Sequence, residues 1–114
     1  MYTISIKLDM NRIPPEAFEA MREKHHIWYK TYFDAGKFLM FGTRSDNSGE
    51  NLIIAQGTVE DLEEAVQFDA YYAEQLATYE IREYKVTLFN EAIKNYRVIG
   101  QKVCVTNPNK LENL

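Results

Sequence analysis

The stretch of residues 23–36 constrains the fold of this 114-residue chain more than any other feature. Its aromatic and apolar side chains recur every three or four positions, which places them on one face of an amphipathic helix. His25 lies within that apolar stripe, whereas His26 points about 100° away around the helix axis. Gly36 ends the pattern, because glycine readily adopts the left-handed conformation of a helix C-terminus. We therefore expect a helix that begins near Pro14 and buries one histidine.

Strand-like and helical patterns surround this helix. Residues 2–8 alternate apolar and polar side chains, and residues 37–43 contain a continuous apolar run that is typical of a central strand covered on both faces. Residues 51–57 give a third strand and residues 78–89 a long last strand. A second helix is predicted over residues 58–69, with Thr58 at its N-terminus. Its inward-facing residues should be Leu62, Ala65, Val66 and Phe68.

The predicted element order is β-α-β-β-α-β, which indicates an α+β, ferredoxin-like fold with an antiparallel sheet and both helices on one face. The other face of the sheet is left uncovered, so we expect a homodimer that buries it. One domain is predicted over residues 1–90, with a C-terminal extension over residues 91–114. In that extension, residues 96–105 are expected to add a strand that pairs with the partner subunit, and residues 107–114 form a mobile polar tail.

Composition and charge exclude several classes of protein. The net charge of −4, without a cluster of basic residues, argues against a nucleic-acid-binding protein. Cys104 is the single cysteine, so no internal disulfide is possible and a reducing compartment is expected. No secretory leader pattern is evident, and no apolar run approaches the roughly 20 residues that span a bilayer. We therefore predict a soluble cytoplasmic protein.

His25 and Asp69 are the candidates for chemistry. A histidine oriented by a carboxylate is a plausible general acid or base, although a core histidine is also often bonded to a backbone carbonyl or a tyrosine hydroxyl. Asp69 follows the second helix and either faces inward or caps the next turn. Adjacent histidines and a lone cysteine do not form a metal set, and no phosphate-binding loop is present, so neither a metal nor a cofactor is expected.

Residues 25–42, 59–69, 71–72 and 76–84 resemble the YCII-related (YciI-like) family. In that family a histidine lies eleven residues before the glycine, as His25 lies before Gly36, and the family's aspartate falls on Asp69. The resemblance implies a dimeric α-β barrel of ferredoxin-like subunits with a histidine–aspartate pair in a pocket. This chain departs from the family pattern at three positions: Ala70 and Glu83 stand where the family has proline, and Gln75 stands where it has glycine.

Three functional hypotheses follow, and whether the protein is an enzyme stays open among them. The first is a cofactor-independent isomerase or lyase in which His25 transfers a proton on a small organic molecule and Asp69 holds the imidazole. The second is a non-catalytic dimeric domain that binds a small ligand or a partner. The third is a cofactor-free monooxygenase of the dimeric ferredoxin-like type. The substrate-binding walls are predicted to be Trp28, Tyr29, Phe41 and Tyr71.

Overall fold

The computed structural model describes residues 1–99 and 102–105 and shows a ferredoxin-like α+β fold. Its first six main elements are β1 (Tyr2–Leu8), α1 (Phe18–Asp34), β2 (Phe38–Thr43), β3 (Glu50–Ala55), α2 (Val59–Val66) and β4 (Ala77–Glu83). The strands form one antiparallel sheet in the order β2-β3-β1-β4. The predicted element order is therefore confirmed.

Residues at their termini explain where the two helices begin and end. A 3-10 helix over Pro15–Ala17 precedes α1, so the regular helix begins later than the prolines suggest. Gly36, just beyond the end of α1, has a φ of 78°, the left-handed conformation predicted for it. The hydroxyl of Thr58 accepts a hydrogen bond from the Asp61 amide at 3.1 Å, which caps α2.

The core lies between the sheet and the two helices. Alternate residues of the central strands β1 and β3, such as Ile4, Ile6 and Ile53, are at most 1% exposed and pack against both helices. Trp28 of α1 also donates a hydrogen bond from its indole nitrogen to the Ala65 carbonyl of α2 at 2.9 Å. This bond ties the two helices together above the sheet.

The prediction that the apolar run in β2 marks a central strand is wrong. β2 lies at the edge of the sheet, where β3 is its one neighbour among the described strands, and the register shifts between Phe38 and Met40. Residues three apart in a regular strand face opposite sides. The bulge adds one residue to β2, so Phe38 and Phe41 both face the helices and their neighbours face the open side.

Two further expectations are corrected. The last strand ends at Glu83, opposite Tyr2 of β1, and not near residue 89. The apolar residues that follow, including Leu88 and Phe89, are exposed, because alternation alone does not provide a neighbouring strand to bond the backbone. Phe68 is 67% exposed and does not face inward, since α2 ends at Val66 and the chain turns before it.

The C-terminal extension begins with a 3-10 helix over Glu91–Asn95. β5 (Tyr96–Ile99) and β6 (Lys102–Val105) then pair with each other as a separate two-stranded sheet, so residues 96–105 contain two short strands where one was expected. The predicted mobile tail lies outside the described residues, and the division into a domain and an extension stays a prediction. Across the part of the chain that is described, none of the helices is both long and apolar enough for a membrane span.

Candidate active site around His25 and Asp69

The two residues selected from the sequence contact each other inside the protein. The Nδ1 atom of His25 lies 2.6 Å from Oδ1 of Asp69, and the two residues are only 6% and 3% exposed. An ionised carboxylate can only accept hydrogen bonds, so Nδ1 carries the proton in this pair. The prediction that His25 lies within hydrogen-bonding distance of Asp69 is confirmed. A catalytic role for the pair stays a prediction.

Different parts of the fold hold the two partners. His25 lies in the middle of α1, on the stripe that packs against the sheet, and Asp69 lies in the turn that follows α2. The backbone of Asp69 continues the helical turn through bonds to Val66 and Tyr72. Its side chain does not cap that turn and points to α1. The structure therefore selects the inward-facing alternative for this carboxylate.

Tyr79 completes a three-residue arrangement that the sequence did not reveal. Its hydroxyl donates a hydrogen bond to Oδ2 of Asp69 at 2.6 Å, so both carboxylate oxygens have a partner. Tyr79 lies on β4 opposite Ile6 and thus faces the helices. An inward-facing tyrosine needs a partner for its hydroxyl, and this was the available signal. Burial, with the hydrogen bond to Asp69, raises the pKa of Tyr79 well above its usual value, so the hydroxyl keeps its proton.

Four aromatic rings surround the imidazole, and they are the four predicted wall residues. The ring centroids of Tyr71, Tyr29, Trp28 and Phe41 lie 5.1, 5.3, 5.6 and 5.8 Å from that of His25. At these distances the rings are in contact with the imidazole, and a ligand needs at least one of them to move. Tyr29 and Phe41 stack at 3.7 Å and are both only partly buried, which makes them the more readily displaced pair.

The second nitrogen of His25 distinguishes this site from an ordinary core histidine. Nε2 is buried and, among the residues that the structure describes, has no hydrogen-bond partner. A buried polar atom without a partner costs about 1 to 3 kcal/mol, so each one needs an explanation; Ser48 Oγ, in the loop between β2 and β3, is the other such atom among the described residues. With the proton on Nδ1, Nε2 carries a free lone pair. The arrangement provides a base next to an apolar, aromatic surface.

His26, the neighbouring histidine, has a different environment. It is exposed, and its Nδ1 lies 2.7 Å from the hydroxyl of Tyr29, one turn further along α1. The prediction that it points away from His25 is therefore confirmed. Within the described residues, no group of three or more histidine, cysteine or acidic side chains is arranged to hold a metal ion.

The open face of the sheet has a different kind of surface. A broad depression of about 890 Å³ lies there, lined by side chains such as Ser5, Lys7, Met40, Leu52 and Glu80. These side chains alternate with the core residues along the same strands and belong to the opposite side from His25. This depression and the histidine–aspartate pair are therefore distinct. The histidine–aspartate pair is the stronger candidate for chemistry, because it combines a buried base and carboxylate, whereas the depression is lined by a mixture of polar and apolar groups.

Comparisons with known proteins support the fold. No family model matches the chain, and no curated protein matches it in sequence. Among solved structures, it is similar to 5-chloro-2-hydroxyhydroquinone dehydrochlorinase (TftG) from Burkholderia phenoliruptrix AC1100, in a complex with 2,5-dihydroxybenzoquinone. The TM-score is 0.50 at 12% sequence identity, and the match covers 75% of this chain and 94% of the other. At this identity the similarity shows a shared fold.

Proposed function

We propose that the protein is a cofactor-independent enzyme that transfers a proton on a small organic molecule, with Nε2 of His25 as the base. The observation that carries this proposal is the buried Nε2 atom, which has no partner among the described residues although Nδ1 is anchored to Asp69. A purely structural histidine would be expected to bond through both nitrogens or to expose one to water. The free nitrogen is thus available to a substrate.

The proposed step needs only the groups at this site. Nε2 accepts a proton from an acidic C–H group of the substrate, and the electron pair of that bond moves into an adjacent carbonyl to give an enolate. The imidazolium that forms is stabilised by the Asp69 carboxylate. Return of the proton to another atom completes an isomerisation, whereas departure of a leaving group with its electron pair completes an elimination.

The aromatic surroundings favour a small, flat organic substrate. Rings of Trp28, Tyr29, Phe41 and Tyr71 provide stacking surfaces and exclude water from the imidazole. A dehydrochlorinase with the same fold was solved with a dihydroxybenzoquinone, a molecule of this size and shape. Entry of such a ligand requires the stacked Tyr29–Phe41 pair to open.

Deuterium exchange tests this proposal with model compounds in place of the natural substrate. A panel of small ketones, lactones and hydroxyquinones is incubated with the protein in D₂O, and loss of C–H signals is followed by NMR. We expect His25→Asn to retain the fold and to slow exchange by a factor of about 10² to 10⁴, the usual contribution of a general base. His26→Asn, a change of the adjacent exposed histidine, is the matched control.

Each other outcome has a defined meaning. Equal exchange by the wild type and His25→Asn contradicts the role of His25. Ligands that raise the melting temperature but show no exchange contradict the enzyme and support the non-catalytic binding domain. Consumption of dissolved oxygen with a hydroxyquinone, dependent on the protein, supports the monooxygenase and contradicts simple proton transfer.

We also propose that the protein is a homodimer that packs its open sheet faces together. Leu39 and Leu52 are 41% and 42% exposed, although both lie on strands, and Met40 and Ile54 extend this apolar area across β2 and β3. Covering such a surface with a second copy removes it from water. Light scattering at micromolar concentration should give a dimer mass, and Leu52→Glu should give a monomer with unchanged circular dichroism. A monomer mass for the wild type contradicts this assembly.

A further inference from the structure

Asp69 is held at both ends of its carboxylate by side chains from different elements. Oδ1 contacts His25 of α1 and Oδ2 accepts from Tyr79 of β4, each at 2.6 Å. Asp69 itself lies between them in the turn after α2 and is 3% exposed. Three separate parts of the fold therefore meet at one carboxylate group.

The direction of each hydrogen bond follows from the chemistry of the groups. A carboxylate accepts only, so the Tyr79 hydroxyl donates to Oδ2. The raised pKa of Tyr79, caused first by burial and next by the bond to Asp69, keeps that hydroxyl protonated. The hydroxyl therefore remains a donor to Oδ2 of Asp69 over the neutral pH range.

A carboxylate with a single anchor can rotate about its Cβ–Cγ bond and exchange its two oxygens. The second hydrogen bond removes this freedom, because rotation would break both short contacts at once. The plane of the carboxylate then sets the plane of the His25 imidazole, and Oδ1 faces Nδ1 only. No ring contact joins Tyr79 directly to His25 in the described part of the protein, and the hydrogen bonds of Asp69 connect the two residues.

We propose that Tyr79 is a positioning residue, which locks the Asp69 carboxylate so that His25 carries its proton on Nδ1 and keeps Nε2 free. This inference rests on the proposed role of His25 as a base and adds a third residue to that site. Tyr79 takes no proton and touches no substrate. Its contribution is to hold one tautomer of the imidazole, which is the form that can accept a proton at Nε2.

Nitrogen NMR of the imidazole tests the proposal directly. In protein labelled with ¹⁵N-histidine, a fixed tautomer gives one protonated and one unprotonated nitrogen resonance, far apart, for His25. We expect this separation in the wild type and a smaller one in Tyr79→Phe, because the carboxylate then rotates away from Nδ1 for part of the time and the imidazole samples both tautomers. Tyr72→Phe is the matched control. The ring of Tyr72 contacts that of Tyr79 at 5.6 Å, but no hydrogen bond to its hydroxyl is found within the described residues.

Further variants distinguish an error in the role of Tyr79 from an error in the proposed function. Asp69→Asn should alter the tautomer more than Tyr79→Phe, since an amide can donate to Nδ1. If Asp69→Asn alters the tautomer and a folded Tyr79→Phe does not, Tyr79 has no positioning role, while the proton-transfer proposal stands or falls on deuterium exchange. Should Tyr79→Phe not fold, 3-fluorotyrosine at position 79 keeps the ring and donates more strongly. It should then shift both His25 nitrogen resonances, and unchanged resonances overturn the inference.

Discussion

The two faces of one sheet differ sharply in this protein, although the same strands supply both. On the covered face, Ile4, Ile6 and Ile53 are almost fully buried and pack against the helices. On the open face, the intervening residues such as Ser5 and Leu52 remain exposed. The buried pair of His25 and Asp69 lies on the covered side of the sheet.

This difference shows where the fold can place chemistry. A charge can be kept out of water only where other elements provide partners for it, and the helices provide them on one face. Within the described residues, the open face carries exposed apolar side chains among polar ones and has no counterpart of the buried histidine–aspartate pair, which suits contact with another protein surface. The structure thus separates a candidate site for small molecules from a candidate surface for assembly.

Removing the buried carboxylate should give the largest loss of stability. Asp69→Ala leaves His25 and Tyr79 without their partner, and breaking a buried pair from one side costs about 3 to 5 kcal/mol. Urea unfolding measures the change in the free energy of unfolding. Glu80→Ala changes the residue next to Tyr79, on the open face, and should cost less than about 1 kcal/mol, because the exposed ion pair of Glu80 with Arg82 contributes little. Similar losses for both variants would remove the contrast between the faces.

Truncation of the apolar core should have the next largest effect. Ile6→Ala creates a cavity beneath the helices and should cost about 2 to 4 kcal/mol in the free energy of unfolding. Ser5→Ala changes the adjacent residue of β1, whose side chain faces the open side, and should have little effect. Thermal melts of the two variants compare the faces at consecutive positions of one strand.

Opening the aromatic cover should expose the site at a smaller cost. Phe41→Ala should destabilise the protein less than Phe38→Ala, because Phe38 is fully buried and Phe41 only partly. Phe41→Ala should also raise the rate at which diethylpyrocarbonate modifies His25, and mass spectrometry detects this modification. His25→Asn gives the background from His26. An unchanged rate would mean that Phe41 does not cover the imidazole.

The smallest predicted effect concerns stability at high pH. Below pH 10 the Tyr79 hydroxyl keeps its proton in both the folded and unfolded states, so its contribution is complete. Above about pH 10 the unfolded state releases that proton while the raised pKa of Tyr79 keeps it in the folded state, and stability falls. Tyr79→Phe removes this group and should make the decline shallower. At pH 11 we expect Tyr79 to account for a loss of up to about 1 kcal/mol in the free energy of unfolding, since the ring is partly exposed. Urea unfolding midpoints of the wild type and Tyr79→Phe at pH 8 and pH 11 measure this loss.

Patterns with a regular period gave the predictions that hold. The helical stripe through His25, the order of strands and helices and the left-handed Gly36 all depend on neighbours in the chain. The approach of Asp69 to His25 is expected partly from the family resemblance, since no local pattern relates residues so far apart. Its short distance and the burial of both side chains agree with that expectation.

Features that depend on distant partners could not be read from the same patterns. Alternation continues past Glu83, but pairing with β1 ends there. The bond from Tyr79 to Asp69 joins a strand to a turn and has no sequence period. Gln75 has a φ of 57°, a conformation that glycine adopts without strain, and it occupies the place where the resembling family has glycine. The substitution was visible in the sequence, whereas the backbone geometry was not.

The bulge in β2 determines which side chains of that strand face the helices and the His25 site. If the same sequence ran through β2 without the bulge, Phe41 would lie three regular positions after Phe38, and its ring would face the open side and not the imidazole. Deleting Leu39 would remove the additional residue, place Phe41 two positions after Phe38 and keep both rings on the covered face in a regular strand. One β-bulge in the edge strand β2 therefore determines which face of the sheet each of the following side chains of the strand lies on.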